Sequence, residues 1–559
     1  MAAAASSARR SLRASQPPLS LAEEQAAVAL SQLEQRDIAA ALRLSLHDSW
    51  DSDEEKSGAA SEADADSSSS EEEKEFQRPA PAQAEEEWTS DVQSVDVPLP
   101  RLRPVQQAAP AAETPFSLLQ RFLSPALMEE FAAHTNAAAP HGWRLTTADE
   151  LYAFMGVHLF MGIDRLPRTE MYWSETFGHS LVTSLFSRDR FKQLLRFFRV
   201  AAPDEDAPAR NPMPHVRALA EKLNALFAAN FKPSDHLTLD EAMAAYKARS
   251  PIKQYIPSKP HKWGYKIWCL CSEDYLLHFE VYEGKEDDPS DAGATVDTVL
   301  RMIAAYQHQE RTLYTDNWFT SPTLLHALAQ RGIRLCGAVR SNRKGMPAIP
   351  AADIRAVQRG EWIQRQKGDT AVAVWRDRKV IWVLYNHCSP TEDASLNRWN
   401  DAGRKVSVGC PRAIRDYFYH ARSVDVFSQL HYAYLIGRKA RRAWPRLAWW
   451  LLDACILNAF QLWSIGQHRP SQLRFREELM HELLKQLPRE QAPRKRGAGL
   501  RPTHALACEH YPAHAERPRD CVVCSRQPDV RVRSSILCHA CQVHLCVGQC
   551  FARYHADVQ

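Results

Sequence analysis

No stretch of this 559-residue sequence reaches the ~18 consecutive apolar residues that a membrane-crossing helix needs. Its opening residues, MAAAASSARR, lack the apolar centre of a secretory leader. The expectation is a chain that neither spans a membrane nor is secreted. Composition is not extreme either. Hydrophobic residues at 45% and charged residues at 25% exclude a wholly disordered, collagenous or coiled-coil chain. The length is several times the ~100–200 residues of a typical domain, so several domains are expected.

The net charge of +3 conceals an asymmetry. Residues 51–90 hold 14 Asp/Glu against 3 Lys/Arg, a balance of −11, so the remainder carries +14. An acidic tail on a basic body suits a protein that meets polyanions; a solvated surface is the plainer alternative. Of 13 cysteines, six fall between Cys521 and Cys550 in paired spacing, which in a reducing compartment reads as metal ligation rather than disulfides.

Residues 1–112 are rich in Ala, Ser, Glu and Pro, and runs such as SSSSEEEKE cannot bury enough surface to fold. This is a disordered acidic tail by expectation. Within it, Ile38, Ala41, Ser45 and Asp48 stand at helical spacing and resemble a ubiquitin-interacting motif, although the acids upstream are only Glu34 and Asp37. An Ala-rich helix without a partner is the alternative.

Apolar residues recur at helical spacing from Phe116 to Lys232, as in ELYAFMGVHLFMGI, so 113–235 reads as helical. At His236 the period changes to strand-like runs, HLTLD, YKIWCLC, LLHFEVYEG and RTLYTD, with helical stretches near 296–306 and 321–330. IRLCGAVR, TAVAVWRD and KVIWVLY follow, the last two joined closely enough for a hairpin. Beyond Pro411 the chain reads as helical to about Leu487, and a basic linker precedes the Cys/His-rich end.

Asp240 and Asp316 close strand-like runs, and Asp425 opens a helical one. Carboxylates held rigidly at strand ends suit Mg²⁺ or Mn²⁺, and two such ions activate a nucleophile and stabilise a leaving oxygen. Acidic residues also cap strands and helices routinely, so spacing alone does not bring the three together.

Longer motifs narrow the choice. LTLDEAMAAYKARSPIKQYIPSKPHKWGYKIWCL, DYLLHFEVYEGK, YTDNWFTSPTLLHALAQRGIRLCGAVRSNRKGMP and SVDVFSQ, in this order, resemble the piggyBac family of transposases and their domesticated derivatives. LYAFMGVHLFMGIDRLP and MYW extend the resemblance upstream, so with the C-terminal module it covers roughly 115–559.

The resemblance implies a multidomain α+β fold. A helical dimerisation and DNA-binding domain spans 113–235 and continues through 430–487. A ribonuclease-H-like core spans 236–334 and 421–487, interrupted by an insertion at 335–420, and a linker at 488–507 leads to a cross-brace zinc finger at 508–559. It also implies that Asp240, Asp316 and Asp425 are a metal-binding DDD triad for cut-and-paste movement at TTAA sites in the nucleus, and that Trp444 lies close to the active site. The sequence departs from the family at Ser423, where Gly is usual, at Ser428, where a further Asp is usual, and at Ala248, where Gly is usual. A domesticated DNA- or chromatin-binding protein without catalysis is therefore the alternative function.

At the C-terminus, Cys521, Cys524, Cys538, Cys541, Cys546, Cys550 and His555, with His510, supply eight groups, enough for two tetrahedral Zn²⁺ ions. That set resembles the family's cross-brace domain, which binds transposon-end DNA, and shares its topology with RING and PHD fingers. His514, His539 and His544 are expected to face solvent, and Cys508 could replace one ligand.

Residues 435–559 carry 20 Lys/Arg against 10 Asp/Glu, with Arg438, Lys439, Arg441 and Arg442 in one run, a pattern that suits phosphate contact or nuclear import, with a solvated helix face the alternative. Lys259, Lys262 and Lys266 surround Trp263 and are expected near a DNA backbone, with core packing of Trp263 the alternative. Double-stranded DNA and a second copy of the chain are the expected partners, with ubiquitin or chromatin contacts through the tail.

Overall fold

The computed structural model describes residues 87–97, 113–202, 211–257, 259–285, 289–400, 404–437, 442–465, 467, 470–487, 512–526, 531–547 and 549–557. Ile38, Ala41, Ser45 and Asp48 of the ubiquitin-motif resemblance, the linker 488–507, Cys508, His510, Arg438, Lys439 and Arg441 lie outside these residues. Two compact units are present: one takes in the chain up to Met171 and Phe191–Leu487, the other Tyr172–Arg190 and Pro488–Gln559. No described helix is long and apolar enough to cross a membrane.

Helices of the first unit start where the sequence supplies caps. The hydroxyls of Thr114, Ser124 and Thr147 accept from the backbone N–H groups of Ser117, Leu127 and Glu150, opening Pro115–Gln120, Pro125–Ala137 and Ala148–Ile163. Ala148–Ile163 and Trp444–Ser464 are apolar around most of their circumference, and both are correspondingly buried. A buried charge network fastens three helices of the C-terminal half. Asp453 lies 2.8 Å from Arg476 of Gln472–Leu484 and 2.6 Å from His431 of Ser423–Ala433, with Asp453 and Arg476 wholly enclosed. Arg476, ahead of His431, offsets burial and holds the Asp453 carboxyl below its ordinary range.

Nine strands form one sheet: β1 (His236–Ala245), β2 (Gln254–Tyr255), β3 (Trp263–Ser272), β4 (Tyr275–Val281), β5 (Thr312–Thr315), β6 (Arg334–Ala338), β7 (Trp362–Lys367), β8 (Thr370–Arg376) and β9 (Val380–Tyr385). The order is β2-β3-β1-β5-β6-β9-β8-β7, with β4 also paired to β3. β1, β5 and β6 run parallel, while β3 is antiparallel to both β1 and β4. Glu273 and Asp274 close the β3–β4 hairpin with φ of 51° and 63°, as a two-residue turn of the right twist requires. The buried hydroxyl of Ser423 accepts from the Asp274 N–H at 2.7 Å. The side chain thus braces the start of the Asp425 helix against this turn.

The expected hairpin of TAVAVWRD and KVIWVLY is β8 and β9. β9 pairs with β6, so β7, β8 and β9 extend the main sheet, and β6 crosses the expected boundary at 334/335. A separate ribbon, β10 (Asp393–Trp399) with β11 (Lys405–Pro411), packs on the helix Arg412–His420. In the other unit, β12 (Pro512–Asp520) pairs with β13 (Arg533–Cys538), and the helix Gln549–Asp557 follows.

Candidate metal centres

Strand register determines where the acidic residues fall. β1 and β5 pair in parallel from His236↔Thr312 to Leu239↔Thr315, so the next residues, Asp240 and Asp316, stand side by side. Asp316 follows the end of β5, but Asp240 does not close its strand as expected: β1 runs on to Ala245, held by its pairing with β3. On β1, His236 stacks on His420 at 3.7 Å and the Thr238 hydroxyl donates to the His420 carbonyl at 2.9 Å. Alternation along the strand sends Asp240 to this same face, where the helix Ser423–Ala433 begins with Asp425 in its first turn.

The carboxylates of Asp240, Asp316 and Glu241 each place an oxygen within 4.8 Å of the others. Asp425 is exposed and lies outside that set, though its charge reaches both Asp240 and Lys259. Glu241, the neighbour of Asp240 in TLDE, joins the set although its position in the sequence does not mark it as a ligand. Burial, and then the charges of Glu241, Asp316 and Asp425, push the Asp240 carboxyl well above its ordinary range despite Lys259. Asp316 is raised by burial and then by Glu241, against the N–H groups of Trp318 and Phe319. This concentration of like charge calls for a cation, and an all-oxygen donor set fits Mg²⁺ or Mn²⁺.

The loop after Asp316 is fixed by local bonds. Its carboxylate accepts from Trp318 N–H at 2.9 Å, and the Thr320 hydroxyl, which donates to the Asp316 carbonyl at 2.7 Å, lies 2.7 Å from that of Thr315. Gly337 of β6 leaves room for this pair, since a Cβ there would collide with both hydroxyls. Arg343 donates to the carbonyls of Asn317 and Trp318.

The expected DNA-contacting residues separate into distinct settings. Lys259 turns inward: its ammonium lies 3.3 Å from Glu241, 3.9 Å from Asp240 and 3.0 Å from the Glu241 carbonyl. Lys266 sits over the Trp268 ring at 3.6 Å, with Trp318 at 5.1 Å, and burial lowers its pKa despite the nearby acids. Lys262 and Arg442 are exposed. Trp263 is 44% exposed, with Lys253 4.5 Å from its ring, so it is not a core residue. Trp444 is buried against Arg199 and His215.

In the second unit the Cys/His ligands form two interleaved groups: Cys521, Cys524, Cys546 and Cys550, then Cys538, Cys541 and His555. Sulfur separations of 3.5 and 3.9 Å in the first match the roughly 3.8 Å edge of a tetrahedron with Zn–S of ~2.3 Å. His555 Nε2 lies 3.3 Å from Cys538 and 3.6 Å from Cys541, the shorter edge of a nitrogen ligand. The Cys546 N–H points at the Cys521 sulfur, and several such backbone donors outweigh burial and bring that thiol down to about 7. Both groups fit Zn²⁺. His514 and His539 are exposed as expected, but His544 is buried, 2.8 Å from the Ser534 carbonyl. That position between strands corrects the expectation of solvent exposure.

Comparison with known proteins agrees with this architecture. A family model described as "Transposase IS4" matches residues 114–460. Human piggyBac transposable element-derived protein 3 is 25% identical over 462 residues, covering 79% of this chain and 76% of that protein. Human piggyBac transposable element-derived protein 2 is 25% identical over 371 residues, covering 63% and 62%. The cryo-EM structure of a piggyBac transposase synaptic complex with hairpin DNA superposes with a TM-score of 0.58 at 21% identity, over 78% of this chain and 97% of that one. The chain is a member of the piggyBac family of transposases and transposase-derived proteins.

Proposed function

We propose that this chain binds DNA in the nucleus and cuts and joins strands at TTAA sites, using divalent ions held by Asp240, Asp316 and Asp425 together with Glu241. The observation that carries the reading is the side-by-side placement of Asp240 on β1 and Asp316 just past β5 by the parallel β1–β5 register, with Glu241 within the same 4.8 Å. A ribonuclease-H-like core is supported by the strand order β4-β3-β1-β5-β6, in which an antiparallel trio joins a parallel one.

Bound Mg²⁺ or Mn²⁺ would activate water and then a 3′-hydroxyl, and would stabilise the leaving oxygen. The protein's own residues position these events. Asp316 is held by its turn, Asp240 by its strand, and the exposed face of Trp318 beside Lys266 offers a surface for a base next to the reacting phosphate. The Cys/His unit, loaded with two Zn²⁺, binds transposon-end DNA in this reading, and two copies of the chain bring two ends together.

Purified full-length chain should nick TTAA-containing duplex in a Mg²⁺- or Mn²⁺-dependent manner, and Asp316→Asn should abolish the cut. Equal nicking by both proteins would sink the assignment. One observation favours a second reading, a DNA-binding derivative without cleavage. Ser428 stands one helical turn from Asp425, where the family usually has another acid, so this side of the site has lost a charge. No nicking by either protein, with DNA binding and zinc content intact, would establish it.

A further inference from the structure

We infer that Lys259 is a resident counter-ion of the carboxylate site, which a divalent metal must displace in order to bind. The inference rests on the proposed metal site and adds to it the group that sets its affinity. Lys259 rides on a short loop closed by the Ile256 N–H to Lys262 carbonyl bond at 2.8 Å, beside the β2–β3 pairing at Tyr255↔Trp263. Its ammonium meets the carbonyl and carboxylate of Glu241 at 3.0 and 3.3 Å and the Asp240 carboxylate at 3.9 Å. Two of the four carboxylates proposed to hold metal, Asp240 and Glu241, are therefore already engaged by one positive charge. The side chain is one-fifth exposed, so it has a path outward.

A divalent ion takes carboxylate oxygens at roughly 2.0–2.1 Å when it is Mg²⁺, and an ammonium held by the same oxygens would face it at close range. The two cations exclude each other. Lys266 behaves differently, because ring faces rather than carboxylates hold it in place. Lys259 is thus the exchangeable cation and Lys266 the fixed one. Exchange has two consequences: the acidic cluster is neutralised in part when metal is scarce, and metal entry releases an ammonium at the mouth of the site, towards an incoming phosphodiester.

The test is Mn²⁺ binding to zinc-loaded, full-length protein, followed by the loss of the free-ion electron paramagnetic resonance signal. The acidic tail will bind some Mn²⁺, so the relevant component is the one that Asp316→Asn removes. Lys259→Gln should tighten that component at least about tenfold, and Lys259→Arg, which keeps the charge, should stay within about threefold of wild type. The tightening should vanish in Lys259→Gln/Asp316→Asn. Unchanged or weaker binding by Lys259→Gln, with the Asp316-dependent component still present in wild type, would overturn the counter-ion role and leave the metal site standing. Binding that is indifferent to Asp316 in every variant, or absent from all of them, would overturn both.

Discussion

Replacing Asp316 with Asn removes one negative charge while keeping the side chain's shape and its acceptance of the Trp318 N–H. Asp316 has oxygens within 4.8 Å of both Asp240 and Glu241. At an effective dielectric of ~20, two unit charges at that distance repel by about 3.5 kcal/mol. Attraction to Lys259 and the N–H groups of Trp318 and Phe319 offset part of this repulsion. The metal-free variant should therefore be more stable than wild type by about 1–3 kcal/mol, or several degrees in Tm. Adding Mg²⁺ should raise the Tm of wild type and leave the variant nearly unmoved, because ligation stabilises only the protein that can bind. Differential scanning calorimetry with and without Mg²⁺ measures both effects. A metal-free variant no more stable than wild type, with an equal response to Mg²⁺, would refute the crowding of charge at this site.

Three further outcomes follow from the same structure. Asp453→Asn leaves Arg476 enclosed without its carboxylate and should cost about 3–5 kcal/mol by chemical denaturation; Asp453→Asn with Arg476→Met should recover much of it, and no recovery would mean the helices need the charges themselves. His420 is pushed down to about 3 by burial and then by His236, so its contribution is complete above the ordinary histidine value and is lost as pH falls below it. Between pH 7.5 and 5 wild type should lose about 2 kcal/mol more than His420→Asn, and parallel stability curves would contradict this. For the zinc unit, mass spectrometry should count two Zn²⁺ per chain; Cys521→Ser and Cys546→Ser together should lose the same single ion as either alone, whereas Cys521→Ser with Cys541→Ser should lose two.

What the sequence revealed depended on the range of the interaction. The strand runs HLTLD and RTLYTD are legible because period-two burial is local, although β1 continues past Asp240 to Ala245; the adjacency of Asp240 and Asp316 comes from the β1–β5 register across some seventy intervening residues. Glu241 was visible but not readable as part of the cluster. Alternation along β1 assigns it to the opposite face from Asp240, so the strand pattern separates two residues whose carboxylate oxygens lie within 4.8 Å of one another. Lys259 and Lys266 look alike in KPHKWGYK, yet one faces carboxylates and the other aromatic rings, a difference that only the loop and the β1–β3 pairing decide. The cysteine pairs announced metal by spacing alone. Their interleaving follows from the β12–β13 ribbon and the helix Gln549–Asp557, which bring Cys550 to Cys524 and His555 to Cys538.

On this reading Asp240 of β1 and Asp316, just past β5, hold divalent metal. Anomalous scattering from crystals of the zinc-loaded protein grown with Mn²⁺ tests it most directly. Manganese peaks are expected in coordination contact with Asp240 and Asp316, with the Lys259 ammonium moved away from Glu241. Manganese only elsewhere in the molecule, with Lys259 still against Glu241, would contradict it.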